Sequence, residues 1–309
     1  MFFLRTFSVA ALGAAVVLAG CAHTPSAPSD ASMPSAADAR SRCLSNSEIA
    51  QWAQAYAARQ PLSNPPEGMT AEDAACTRAK FQQLLAREYG ELVGYKVDLS
   101  NVHLQKSFRT HEPVWGSYYR SMLLPNNSAV PAQFGAHPLY KANLLVRVKS
   151  SGINNAQTPD EVLSHLDQVI PYIELADILV QKPTQLTAHN LTAINAGIRL
   201  GVMGQPLAVP KDGKAKQRML RELGTMSVHV IGPNGRILAR GKGSDVMGHP
   251  LKSVIWLAGA LRQQGQELKP GQWVSLGAMS PMQRARAGTR MTVAYPGLTG
   301  ARPVTVQFK

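Results

Sequence analysis

An α+β fold, with a mixed, strand-rich core and helices at one side, follows from three observations. Residues 46–59 and 70–88 carry helical patterns close to the start of the folded part. Short runs of β-branched and aromatic residues, bounded by Pro, Gly and Ser, recur along the chain beyond residue 90. In the C-terminal third, Gly232-Pro233-Asn234-Gly235 separates two such runs as a hairpin would.

The elements are expected in this order. The helix over 46–59 is followed by a Pro-rich loop, Pro61 to Gly68. The helix over 70–88 has Thr70 as its N-cap, acidic residues in its first turn, and Phe81, Leu84 and Leu85 on its apolar face. Leu92 to Leu99 reads as a strand, and residues 100–135 as loop, with Pro113, Pro125 and Pro131. Ala142 to Val148 is the next strand. Thr158-Pro159-Asp160-Glu161 starts a helix with a capping box and proline at N1. Pro171 to Leu179 reads as a strand and 187–199 as a helix. Ser227 to Ile231 and Arg236 to Arg240 form the hairpin. Pro250 opens a helix with Leu251, Val254, Ile255 and Ala258 on one face, ending near Gly265. Trp273 to Leu276, Arg290 to Ala294 and Val304 to Phe308 complete the strands.

Ahead of the domain, residues 1–20 read as an export signal. Arg5 is its positive start, and Val9 to Ala19 is an apolar run too short to span a bilayer as a mature helix. The run ends in Leu18-Ala19-Gly20-Cys21, which looks like a bacterial lipobox. On that reading Cys21 is lipidated, and the acyl chains hold the protein on a membrane. The alternative is a free cysteine at the end of an apolar run. Residues 21–44 are then the lipidated cysteine and an Ala/Ser/Pro-rich linker. Ala22, where an Asp would retain the protein at the inner membrane, resembles outer-membrane sorting. The expected location is therefore the outer membrane, facing the periplasm or the cell surface. Residues 45–309 make one domain, helical over 45–90 and β-rich over 91–309.

Of three cysteines, Cys43 and Cys76 remain once Cys21 is set aside. An even pair in an exported chain is a disulfide candidate, the alternative being two buried thiols. The net charge is +13. Its basic clusters are Lys211, Lys214, Lys216, Arg218 and Arg221, then Arg284, Arg286 and Arg290. They lack interleaved aromatics, which argues against nucleic acid as a partner and leaves solvated faces, or faces leaning toward anionic lipid or polysaccharide.

Several stretches together resemble the 2-keto-4-pentenoate hydratase group of the fumarylacetoacetate hydrolase superfamily. They include Gly94-Tyr95-Lys96-Val97, Glu112-Pro113-Val114-Trp115-Gly116 and Pro171-Tyr172-Ile173-Glu174-Leu175-Ala176-Asp177. Further on come Gly241-Lys242-Gly243, Gly248-His249-Pro250-Leu251, Trp256-Leu257-Ala258 and Leu268-Lys269-Pro270-Gly271. The resemblance spans nearly all of 45–309. It implies a mixed β-barrel or β-roll core of the fumarylacetoacetate hydrolase type with a helical N-terminal part, and frequent homo-oligomers. It also implies lyase chemistry, hydration or decarboxylation of 2-keto or 2-hydroxydienoic acids on Mg²⁺ or Mn²⁺.

That family holds its metal with a Glu-x-Glu on one strand and a later Glu. Residues i and i+2 of a strand face one way, so two carboxylates converge on one hard cation. The resemblance maps the pair onto Lys141 and Asn143 and the third ligand onto Glu174. A protonated lysine offers donors only and cannot ligate a cation. No metal cofactor is therefore expected, and a Lys141–Glu174 pair is expected in its electrostatic place. Lys96 matches a lysine of the family's active site, which makes Lys96, Lys141 and Glu174 the candidate catalytic pocket. Asn143 and Asn195 are the candidate substrate ligands. Val114, Ala278 and Ile194 stand where polar residues are frequent in the family. Asp177 and His249 read as structural.

Whether the protein is an enzyme stays open on these residues. One reading is an envelope-anchored binding or structural protein without metal-dependent hydratase activity. The alternative is an active hydratase or decarboxylase using Lys96 and Lys141 in place of a metal. A third is an anion-binding module in which the same two lysines hold a small carboxylate ligand.

Overall fold

The computed structural model describes residues 41–309. The expected export segment, Cys21 and most of the expected linker lie outside the described residues.

Two helices open the domain. In α1 (Asn46–Ala57), Ser45 and Glu48 form a reciprocal capping box, and Ile49, Trp52 and Tyr56 face inward. In α2 (Ala71–Tyr89), Thr70 and Asp73 form a second one. Asp73 also accepts from Ser41 Oγ and the Arg42 amide, which fixes the chain's entry against α2. The expected Cys43–Cys76 disulfide is present and ties the same two segments together.

The remaining elements are β1 (Leu92–Asp98), α3 (Val102–Ser107), β2 (Val114–Tyr119), β3 (Leu123–Pro125), β4 (Ala129–Val130), β5 (Pro138–Val148), α4 (Pro159–Ser164), β6 (Leu166–Asp177) and α5 (Ala188–Ala193). They continue with β7 (Ile198–Met203), β8 (Leu207–Ala208), α6 (Gly213–Thr225), β9 (Ser227–Ile231), β10 (Ile237–Lys242), α7 (Lys252–Arg262), β11 (Trp273–Ser275), β12 (Gln283–Arg284), β13 (Arg290–Ala294) and β14 (Val304–Phe308). One sheet runs β2-β1-β11-β5-β6-β7-β3, with β12 added to β5 and β8 to β6; the other runs β10-β9-β13-β14-β4. Parallel pairs (β1 with β11, β3 with β7, β4 with β14) occur among antiparallel ones. This is the expected α+β architecture with a mixed sheet and a helical N-terminal part.

Several boundaries differ from the sequence expectation for identifiable reasons. Residues 100–135 are not all loop. Val114-Trp115-Gly116 begins β2, which forms the buried outer strand of the large sheet despite Pro113 before it. The strands at 142–148 and 171–179 are longer at their N-terminal ends. Pro171 does not start β6 but is tolerated inside it, because it falls between the β8 and β7 pairings, where its missing N–H costs no ladder bond and its carbonyl still accepts the Gly204 amide. The helix expected over 187–199 is a single short one followed by a tight turn at Asn195–Gly197. The basic run near 211–221, apart from Lys211, lies on α6, capped by Asp212 and anchored by buried Met219 and Leu223. At 158–161, Thr158 caps the Glu161 amide, but the Glu161 carboxylate reaches the Gln157 amide instead of closing the box.

The large sheet separates two apolar cores. Ala142, Leu144, Val146 and Val148 of β5, and Tyr95 and Val97 of β1, pack toward the second sheet and α7. Leu145, Ile170, Tyr172 and Tyr118 pack under α1, α2 and α5. Because alternate residues of a strand face opposite ways, Lys96, Lys141, Asn143 and Glu174 share the helix-covered face.

Candidate functional site

Four ionisable side chains meet on that face in a closed ring. Lys96 Nζ lies 2.8 Å from Asp98 Oδ2 and 2.6 Å from Glu174 Oε1. Lys141 Nζ lies 3.1 Å from both oxygens of Asp98 and 3.3 Å from Glu174 Oε1. Each ammonium touches both carboxylates, each carboxylate touches both ammoniums, and all four side chains are buried. The strands dictate this meeting. Lys96 and Asp98 are i and i+2 on β1, and Lys141 is directly opposite Glu174 in the β5–β6 register.

Asn143 closes the fourth side. Its Nδ2 donates to Glu174 Oε2 at 3.0 Å and to Ser275 Oγ at 2.8 Å. Its Oδ1 accepts from the Leu144 and Gly277 amides. Lys96 donates in addition to the Ala196 carbonyl at 2.8 Å. That carbonyl is presented by an unusual turn in which Asn195, Ala196 and Gly197 all have positive φ, between 54° and 62°. For the two non-glycine residues this costs about 1–2 kcal/mol each. The Asn195 amide holds the turn in place, accepting from Ser117 N and Gln82 Nε2 and donating to the Ser117 carbonyl. Gly116 makes the approach feasible, since a Cβ there would sit 2.4 Å from the Asn195 carbonyl oxygen.

The electrostatics are mutually supporting. Burial by itself would push the Lys96 ammonium down, but the charges of Asp98 and Glu174 outweigh it and its pKa is raised. Burial would push the Asp98 carboxyl up, yet the Lys141 and Lys96 ammoniums hold it well below the usual carboxylate range. Both are charged at neutral pH, so Lys96 is not a free amine poised to attack a carbonyl.

Access is limited. A cavity of about 40 Å³ ends on Lys96 and Asp98, with Leu99, Ala196 and Gly197 beside them. A groove of about 630 Å³ shares its Leu104, Phe108, Ile178 and Met282 walls and is rimmed by His103, Arg240 and Asp245. Lys141, Asn143 and Glu174 line neither.

The structure thus brings Lys96, Lys141, Asn143 and Glu174 together. It adds two partners that the sequence reading passed over, Asp98 and Ser275. The signal for Asp98 was its place two residues after Lys96 on one strand. Lys141 pairs with Asp98 more closely than with Glu174, so the expected two-residue pair is a four-residue ring. Asn195 stands apart from the ring as a brace for the turn, both ends of its amide engaged, and Asn143 likewise has both ends spent. Val114 and Ile194 are core residues, and Ala278 lines the groove. Asp177 accepts the Ala136 and His137 amides, and the His249 ring bonds the Leu220 carbonyl; both roles are structural.

The donor set does not suit a hard dication, which takes six or more oxygens. Only two carboxylates are present, and both are already bridged by ammonium groups without lone pairs. Among the described residues there is no group of three His, Cys, Asp or Glu side chains placed to share a metal.

No family model matches the chain. It is 25% identical over 255 residues to 4-oxalocrotonate decarboxylase of Pseudomonas putida, covering 82% of this chain and 91% of that protein. It is 25% identical over 260 residues to 2-keto-4-pentenoate hydratase of Paraburkholderia phymatum, covering 83% and 95%. Among solved structures, 4-oxalocrotonate decarboxylase from Pseudomonas putida G7, complexed with magnesium and adipate, superposes with a TM-score of 0.74 at 21% identity, over 87% of this chain and all of that one. The fold is of the fumarylacetoacetate hydrolase type. Fumarylpyruvate hydrolase from Pseudomonas aeruginosa, in complex with Mn²⁺ and pyruvate, shares it more distantly, with a TM-score of 0.51 at 14% identity over 70% of this chain and 88% of that one. The similarity to hydratases and decarboxylases runs through both the sheet that carries the ion ring and the helices that cover it.

Proposed function

We propose that this chain is an envelope-anchored lipoprotein that uses a hydratase-like fold as a binding or structural scaffold, without metal-dependent hydratase activity. The observation that carries the reading is Lys141, whose ammonium bridges Asp98 and Glu174 where the resemblance would place a metal-binding carboxylate. Two ammoniums and two carboxylates sum to zero. Adding a dication would leave a net charge of +2 buried beside two like charges, a strongly unfavourable state. The anchor rests on Leu18-Ala19-Gly20-Cys21 and the linker after it. The Cys43–Cys76 disulfide supports an oxidising compartment.

The test pairs calorimetry with an assay. Titration with Mg²⁺ or Mn²⁺ is expected to give no saturable heat. Turnover of 2-hydroxypenta-2,4-dienoate is expected to stay at background with and without Mg²⁺. Tight metal binding together with Mg²⁺-dependent turnover would overturn the reading. A metal-free lyase using Lys96 is the competing reading, since Lys96 borders the inner cavity. It requires turnover without metal that disappears in Lys96→Met. The raised pKa of Lys96 argues against a Schiff base between its amine and a keto acid's carbonyl, and borohydride is expected to trap no keto acid on the protein.

A further inference from the structure

Arg78 is a buried cation with no counter-charge. It projects from α2, is 2% exposed, and forms no ion pair with a carboxylate among the described residues. Its guanidinium stacks on the Trp115 indole, 3.5 Å from the ring centroid. Two of its five N–H donors are used, one on the Trp115 carbonyl at 3.3 Å and one on Gln264 Oε1 at 2.8 Å. Its Nε is buried without a partner. Burial lowers its pKa to about 10, so it stays charged at neutral pH. A charge held this way is costly unless something compensates it.

Arg78 and Trp115 line a groove of about 180 Å³ between the start of α2 and the end of α7. Ala74, Trp256 and Ala260 give this groove an apolar wall, His189, Thr192 and Gln264 supply polar edges, and Glu112 also lines it, exposed and without an ion pair to Arg78. It is distinct from the ion ring. The Trp115 side chain packs in the core on the opposite side of the large sheet, and neither Lys96 nor Asp98 reaches this groove.

We propose that this groove is a binding site for a small organic carboxylate. The carboxylate would sit on the unspent edge of the Arg78 guanidinium, with its apolar part against Ala74, Trp256 and Ala260. Arginine's planar fork matches a carboxylate in a two-point arrangement, and the stacked indole holds that fork rigid. The size of the groove favours a single small ring or short chain. The apolar wall distinguishes such a ligand from inorganic phosphate.

The test uses benzoate, acetate and inorganic phosphate as probes on the full chain, read by calorimetry and by tryptophan fluorescence. Benzoate is expected to bind saturably, at least tenfold more tightly than acetate or phosphate. Gln264→Glu, at an exposed position, is expected to give Arg78 an internal carboxylate. Benzoate affinity should then fall at least tenfold while the melting temperature rises. Arg78→Met should also abolish binding. No saturable benzoate binding would sink the proposal. So would binding that survives Gln264→Glu unaltered, or phosphate binding as tightly as benzoate. Since the site does not involve Lys96 or Lys141, its failure and that of the scaffold reading are separable.

Discussion

At the scale of single residues, the ion ring makes sharp predictions. Lys141→Met leaves two buried carboxylates with one ammonium, and a loss of about 3–5 kcal/mol is expected, measured by urea unfolding. Lys141→Glu with Asn143→Glu should be unstable alone and should regain melting temperature on adding Mg²⁺; no Mg²⁺ response would show that the backbone no longer positions a metal site. The pH dependence follows from Asp98 and Lys96. Asp98 is depressed, so its stabilisation is present above the ordinary aspartate pKa of about 3.9 and is lost progressively as pH falls below it. Lys96 is raised, so its contribution holds below the ordinary lysine pKa of about 10.4 and is lost only as pH climbs beyond that. Unfolding free energy measured against pH should show the acid limb shrink in Asp98→Asn. Much of the ring was legible in the sequence, because strand alternation puts Lys141 and Asn143 on one face and the motif places Lys96 and Glu174. Asp98 escaped because the resemblance drew attention to the family's ligand positions, and a carboxylate two residues from a lysine reads as an ordinary strand end.

At the scale of elements, the turn at Asn195–Gly197 is where backbone strain supports the site. Gly116→Ala would drive a methyl into the Asn195 carbonyl, and the backbone on both sides leaves little room to yield. A loss of about 1–3 kcal/mol is expected in thermal unfolding. The turn was hidden from sequence reasoning. Ala196 gives no sign of a left-handed conformation, and the helical pattern over 187–199 continues through it. Helix α6 was hidden differently, since five basic residues in and before it drew the eye away from the Met219 and Leu223 spacing. By contrast, the β9–β10 hairpin and α7 were readable because turn residues and apolar periodicity coincided there.

At the scale of the whole molecule, the disulfide closes a loop that contains all of α1 and the start of α2. Cys43 and Cys76 are separated by 33 positions, and a loop of that size contributes roughly 3–4 kcal/mol in the chain-entropy account. The double variant Cys43→Ser with Cys76→Ser should therefore melt well below the oxidised protein, and the oxidised protein should lose the same margin on adding reductant. The fold class was readable from local patterns, whereas the order of strands in the two sheets was not, because pairings such as β1 with β11 join residues far apart in the chain. The alternation of two cations and two anions around a ring has a wider consequence. Such an arrangement is a quadrupole, and its field dies away within a few ångströms. It gives an approaching acid no long-range pull into the cavity above Lys96. Any salt dependence in a ligand's arrival there should come from the net charge of +13 carried by the chain, not from the ring, and neutralising Lys96 and Asp98 together should leave it unaltered.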